Sequence, residues 1–422
     1  MSTTTCLQIE QLHSKPSNFH RHRLPEIKPQ SHFTTTAKIG EIARTPVPSE
    51  TNQRALLLKA AREQYTLVDN HQIPSITHAG EILVKQSAST LSTGKARTEY
   101  NFGIPSLPWI NGRDLAGLVL QVPNESSRLR VGDIVLVPST DYRDIRKAAF
   151  QEYAIATDFN AARIPSSTSI HASASLGVAF VAAVLALGVS FGLDFSRLTQ
   201  SPGPNLVDTV NKLDKKSVPA DIHDEVFVGS SESDRPQPGD WIAIWGASTT
   251  TGLVALQLAK LAGLRVICVA DAARHGAKLV QSGADLLVDR HYTDRAVEII
   301  RGVTGGKLRY AIDIVGRDTA TLLEKTLDSS GGAHLLGLTG LPKERNPAIK
   351  YHTVPIKLFH TAPTVGEGIV TWLESLLQSG TLALPEILHA DGGLEGINAA
   401  LNILRSGEAS GKRIVVDLGS KP

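Results

Sequence analysis

Between Gly239 and Lys260 an apolar strand, a turn of small residues and an apolar helical stretch succeed one another without a break. Trp241-Ile-Ala-Ile-Trp245 reads as a strand buried on both faces, and Leu253-Val-Ala-Leu-Gln-Leu-Ala-Lys260 as a helix packed on it. The joint, Gly246-Ala-Ser-Thr-Thr-Thr-Gly252, is short and built of small side chains. A strand that turns this sharply into a helix gathers unpaired N–H groups and the positive end of a helix dipole at one spot, which suits a pyrophosphate. Of the usual G-x-G-x-x-G pattern only the last glycine, Gly252, is kept, so the turn alone fits a structural joint equally well.

The residues after Gly263 decide between the two. Strands over Leu264–Ala270, Leu286–Asp289, Tyr310–Val315 and Ala333–Leu338 alternate with helical stretches over 272–281, 293–303 and 319–327. That alternation predicts an α/β fold with a doubly wound parallel (Rossmann) sheet and a cofactor at the carboxyl ends of its strands. The cofactor-binding candidates in the turn are Gly246, Ala247, Ser248, Thr249, Thr250, Thr251 and Gly252.

A chain of 422 residues has room for more than this. Residues 1–52 are rich in Ser, Thr, Pro, His and Gln, and are expected to be a disordered extension, dispensable for folding. Glu10, Glu26 and Glu41 argue against a transit peptide there. Residues 53–190 carry short apolar strands separated by Gly, Pro and Asp, which predicts a β-rich, partly closed barrel. A Pro-rich insertion over 200–238 reads as a surface excursion, functional or loosely ordered. The dinucleotide domain is assigned to 239–340, and 341–422 to a segment returning to the first domain, closed by a strand at Gly411–Asp417.

The formal net charge of +2 gives no bulk attraction for nucleic acid or an anionic surface. Two distant cysteines, Cys6 and Cys268, provide no disulfide framework and suit a reducing, cytoplasmic setting. Ala172–Leu193 carries no charge and is long enough to span a bilayer, roughly 20 residues. Its Ala and Gly content and its lack of basic flanks favour a buried helix over a membrane span.

The order of Gly112-Arg-Asp-Leu-Ala-Gly117, Val131-Gly-Asp-Ile-Val135, Phe150-Gln-Glu-Tyr-Ala154, Ala174-Ser-Leu-Gly177, Gly239-Asp240, Gly283-Ala-Asp285 and Gly411-Lys-Arg-Ile-Val-Val416 resembles the medium-chain dehydrogenase/reductase superfamily. The resemblance spans roughly residues 53–418 and implies a GroES-like β-rich catalytic domain beside the Rossmann sheet. The turn and the insertion look like a fungal branch described as zinc-binding alcohol dehydrogenase domain proteins, similar to trans-acting enoyl reductases and to quinone reductases.

Zinc ligands expected from such relatives fall on Ser92, Arg113 and Val178, none of which binds the metal, so the site is expected to be zinc-free. Hydride addition to an already polarised acceptor then remains: an activated C=C bond or a quinone, a small molecule with or without a carrier. Tyr100, Lys95 and Arg97 are the catalytic candidates for donating to the resulting enolate. The resemblance places Ala270 where NAD-selective relatives carry an Asp. Arg274 and Lys278 on the next helix and Arg290 after the third strand favour NADPH, against the counter-indication of Asp271. The expected function is an NADPH-dependent reductase serving fungal secondary metabolism, as monomer or homodimer. The alternative is an accessory NADPH-binding protein that kept the fold and lost catalysis, for Leu91-Ser92-Thr93 stands where Leu-Asn-Pro is typical.

Overall fold

Residues 50–91, 106–124 and 127–419 are described by the computed structural model. Strands β1 (Asn52–Leu58), β2 (Thr66–Gln72), β3 (Glu81–Leu91), β4 (Trp109–Ile110), β5 (Asp114–Gln121), β6 (Ile134–Pro138), β7 (Tyr153–Thr157) and β8 (Ala162–Arg163) build the first half. Their inward residues, among them Ile82, Val84, Leu115, Val119, Val135 and Val137, close one apolar core. The second half carries β9 (Trp241–Trp245), β10 (Arg265–Ala270), β11 (Leu286–Asp289), β12 (Tyr310–Asp313), β13 (Ala333–Gly337) and β14 (Ile349–His352). Last come β15 (Glu386–Ala390) and β16 (Lys412–Asp417).

β9 to β14 form a parallel sheet in the order β11-β10-β9-β12-β13-β14. The chain winds outward in one direction from β9 and in the other from β12, and the crevice between them is where a doubly wound sheet takes its ligand. The sheet takes its sixth strand, β14, from beyond residue 340. β16 returns to the first half, lying between β15 and β3 in a sheet that continues through β5, β6 and β8.

The uncharged stretch 172–193 is broken where the sequence shows no interruption. A short helix, Ile170–Ala174, stops before Gly177, and α1 (Gly177–Leu185) restarts and packs against α2 (Thr250–Leu261). The cause is Asp114: its buried carboxylate accepts a hydrogen bond from Val178 N at 2.7 Å, and a Cβ on Gly177 (φ +45°) would collide with it. Among the described residues no helix is long and apolar enough to cross a membrane.

The insertion is anchored. Leu206, Val210, Val218 and Val226 are buried in the largest core cluster. Glu225 accepts from His352 Nδ1 (3.0 Å) and from the backbone N–H of Thr353 (3.1 Å), and His352 Nε2 lies 2.9 Å from Nδ1 of the fully buried His334. One neutral assignment satisfies the chain: His334 donates to His352, and His352 donates to Glu225. It leaves the lone pair of His334 Nε2, which has no partner among the described residues, as the unprotonated nitrogen.

Candidate functional site

The turn after β9 is held by one hydroxyl. Thr249 caps α2: its Oγ1 donates to Gly246 O (2.8 Å) and accepts from Gly252 N (3.1 Å). Its hydroxyl is therefore consumed within the turn and does not serve as a ligand donor. The amides of Thr250 and Thr251, in the first turn of α2, have no intrahelical acceptor and remain for an anion. Gly246 needs its left-handed φ of +90°. At Gly252 a Cβ would stand 2.5 Å from Gly246 O and 2.6 Å from Ala247 Cα, so only glycine lets helix and turn close on each other.

Two cavities meet at this turn, sharing Thr249, Thr250 and Arg413. The smaller, about 540 Å³, runs past Gly246, Ser248, Ala270, Arg290 and His291. The larger, about 900 Å³, lies between the carboxyl ends of β12 and β13 (Ile314, Gly337 to Thr339) and a wall formed by Arg113, Val178, Ala179 and Ala182. Together they make one crevice across the switch point of the sheet, long enough to divide between the two halves of a dinucleotide and an acceptor.

The sequence-derived candidates divide accordingly. Gly246, Ser248, Thr249, Thr250, Thr251, Ala270 and Arg290 line the crevice. Ala247 and Gly252 lie buried beneath it as packing. Arg274 and Lys278 do not line either cavity. From α3 (Ala272–Gln281), Lys278 is turned to Glu386 on β15, 3.2 Å away. Asp271 caps α3, accepting from Arg274 N at 3.0 Å, which commits the carboxylate that stood as the counter-indication. Tyr100, Lys95, Arg97 and Ser92 lie outside the described residues.

The residue missed in the sequence is Arg413. From β16 it reaches both cavities, and its Nη2 donates to the fully buried Asp114 Oδ2 at 2.6 Å. A carboxylate inside the apolar run Asp114-Leu-Ala-Gly-Leu-Val-Leu was the available signal, since such a group requires a cationic partner. Burial also pushes the Cys268 thiol on β10 up to about 12, an inert group.

A catalytic zinc does not fit this lining. Arg113, Arg317, Lys343, Arg345 and Arg413 face the larger cavity, and no His, Cys, Asp or Glu does among the described residues. Three metal-type donors do converge at Asp271, Asp289 and His291, but the two carboxylates already cap α3 and the His291 backbone.

The zinc-binding dehydrogenase family matches residues 250–362. A trans-enoyl reductase of Gibberella fujikuroi is 26% identical over 386 residues, covering 86% of this chain and 99% of its own. An alcohol dehydrogenase superfamily protein from Novosphingobium aromaticivorans superposes with a TM-score of 0.67 at 18% identity, covering 87% of this chain and 100% of its own. A quinone oxidoreductase from Pseudomonas syringae does so with 0.65 at 17% identity, covering 86% and 99%. With the strand order, the shared crevice and these likenesses together, the chain has the fold of the medium-chain dehydrogenase/reductase superfamily and is similar in sequence to trans-enoyl reductases.

Proposed function

We propose that this chain is an NADPH-dependent reductase that transfers hydride to an activated C=C bond, as in an enoyl thioester or enone, or to a quinone. The observation that carries the reading is the single crevice running from Ala270 and Arg290, across the helix start at Thr250, to a cavity flanked by cations and apolar side chains. Its two ends suit different parts of one reaction: the narrow end an adenosine phosphate, the wide end a nicotinamide with an acceptor against it.

Ala270 leaves space for a 2′-phosphate, and Arg290 lies in the same cavity to meet it. Asp271 caps its helix through one oxygen and is not among the residues that line the cavity. The trans-enoyl reductase relatives support the C=C acceptor, and the fold likeness to a quinone oxidoreductase keeps quinones in the test; a place in fungal secondary metabolism is part of the same proposal. NADPH, when bound, supplies the hydride. The protein's part is to bind the phosphates, orient the nicotinamide against the acceptor and exclude water from the wide cavity. Donation of a proton to the enolate is assigned to Tyr100, with Lys95 and Arg97 as the other candidate donors, all three outside the described residues.

The test is NADPH oxidation by the purified protein against a panel of 2-enoyl thioesters, enones and quinones, with NADH in parallel. Turnover with at least one acceptor and preference for NADPH are expected. Tight NADPH binding without turnover of any of them overturns the reductase and leaves an accessory protein.

A further inference from the structure

We propose that Arg113 is a catalytic residue: its guanidinium holds the acceptor's carbonyl oxygen and stabilises the enolate as hydride arrives. The assignment rests on the reductase reading and names the charge that this site applies to the transition state.

Several constraints fix the position of this arginine. Gly112 takes a φ of +98°, and a Cβ there would lie 2.7 Å from the Phe150 ring and 2.8 Å from Ala149 Cβ, so the chain passes where only glycine can. Thr140 then fixes the backbone from the neighbouring strand, its N–H donating to Arg113 O (2.5 Å) and its hydroxyl to Gly112 O (3.0 Å). The guanidinium lies over the Tyr142 ring, 5.0 Å from its centroid, and Nη2 donates to Ser139 Oγ at 2.9 Å. Ser139 is itself buried and held at a φ of +114°, a conformation that side-chain-bearing residues rarely adopt. Strain of this kind persists where the surroundings enforce it, and it clusters at active sites.

Behind Ser139 stands His360, its Nε2 3.4 Å from Ser139 Oγ. Burial holds its imidazole well below the ordinary histidine range, with Arg113, Arg143 and Lys147 pushing the same way and Asp141 opposing. In the tautomer that leaves Nε2 unprotonated, the neutral ring accepts from the Ser139 hydroxyl, whose oxygen is thereby turned to accept from Arg113. Arg113 N–H to Ser139 to His360 is one directed chain, and Ser139 and His360 are positioning residues within it.

The location matches the chemistry. Beside Arg113 on the wall facing the ends of β12 and β13 are Val178, Ala179 and Ala182, all apolar, and Arg413 at the junction with the smaller cavity is ion-paired with Asp114. An acceptor that lay on a nicotinamide at those strand ends would meet Arg113, a cation set among apolar side chains. The hydride leaves C4 of reduced nicotinamide with its electron pair and forms a C–H bond at the β-carbon of the acceptor. The C=C pair shifts toward the carbonyl carbon and the carbonyl π pair comes to rest on oxygen, beside Arg113. NADPH is oxidised to NADP⁺, and a proton added at the α-carbon restores the carbonyl. A fixed cation at that oxygen acts mainly in the transition state, where charge develops.

The experiment uses Arg113→Gln and Arg113→Lys in the full chain, with NADPH affinity by fluorescence and kcat and KM on a 2-enoyl N-acetylcysteamine thioester. Arg113→Gln should lower kcat by about 10²–10³ while KM and NADPH affinity stay within about threefold. Arg113→Lys should recover part of that loss, keeping charge without the planar fork. If the Gln variant does not fold, the Lys variant decides alone, by a kcat at least about tenfold below wild type at unchanged KM. Unchanged kcat, or a loss confined to KM, overturns the proposal and makes Arg113 a simple anchor. A wild-type protein that binds NADPH and reduces no acceptor overturns the reductase reading, and this role falls with it.

Discussion

Arg413 Nη2 lies 2.6 Å from Asp114 Oδ2 although 299 positions separate them in sequence. The pair ties the last strand to β5 and, through Val178 N, to the start of α1, while its cationic end borders both cavities. Removing one partner strands the other charge in a buried site, at a cost of about 3–5 kcal/mol. Arg413→Met should therefore lower the thermal midpoint and weaken dinucleotide binding together. Asp114→Asn in the same chain should recover stability and leave binding weak. Calorimetry and fluorescence titration separate the two effects, and a single variant as stable as wild type would contradict the account.

NADPH selectivity should respond to Arg290 and ignore Lys278. Arg290→Ala should reduce NADPH affinity about tenfold or more, the roughly 1.5–3 kcal/mol scale of one hydrogen bond to a charged group, and leave NADH nearly unchanged. Lys278→Ala removes an ion pair to Glu386 that is well exposed, and both cofactors should bind as before. Parallel titrations with the two nucleotides check both statements.

Gly252→Ala should be enough to abolish dinucleotide binding. The added methyl meets the turn's own backbone at Gly246 and Ala247, which have no side-chain freedom to yield. Overpacking of this kind costs about 1–3 kcal/mol, and the opened turn no longer presents the Thr250 and Thr251 amides. Circular dichroism should show a folded protein; retained nucleotide affinity would place the cofactor elsewhere.

Mild acid should loosen the protein through its buried histidines. Burial, with His352 and Lys350 beside it, lowers His334 to about 4, against an ordinary value of 6.5. Between those two values the unfolded chain binds a proton that the folded one refuses, so stability falls as pH falls from about 6.5 to about 4. His334→Gln should flatten that slope. Urea midpoints measured across this range in both proteins provide the check.

Dialysed protein should carry no stoichiometric zinc, and chelators should leave turnover unchanged, because among the described residues the wide cavity is lined by cations and apolar groups and by no His, Cys, Asp or Glu. Elemental analysis near one zinc per chain would contradict this.

Local features were readable from the sequence, and distant ones were not. The strand, turn and helix at 241–261 lie within one short stretch, so small residues and periodicity were enough to place them. Arg274 and Lys278 looked alike as cations on a helix start, but the carboxylate that draws Lys278 away, Glu386, lies more than a hundred residues further along the chain. The same holds for Arg413, whose partner is known only once β16 is seen beside β3 and β5. Thr249 shows a subtler limit: its hydroxyl was available on paper as a ligand donor, and the turn it caps uses it completely. Residues 341–352 read as a return to the first half, because a strand with only two buried positions, Ile349 and His352, lacks the long apolar run of its neighbours.

Glu225 grips the backbone of Thr353, and Thr353, Val354 and Ile356 border the wide cavity. One edge of that cavity is thus braced from behind by a stretch that contributes no strand to either half. Sequence drift over 200–238 can reshape which molecules enter while the hydride-transferring face stays untouched, so selectivity and chemistry are free to evolve on separate clocks.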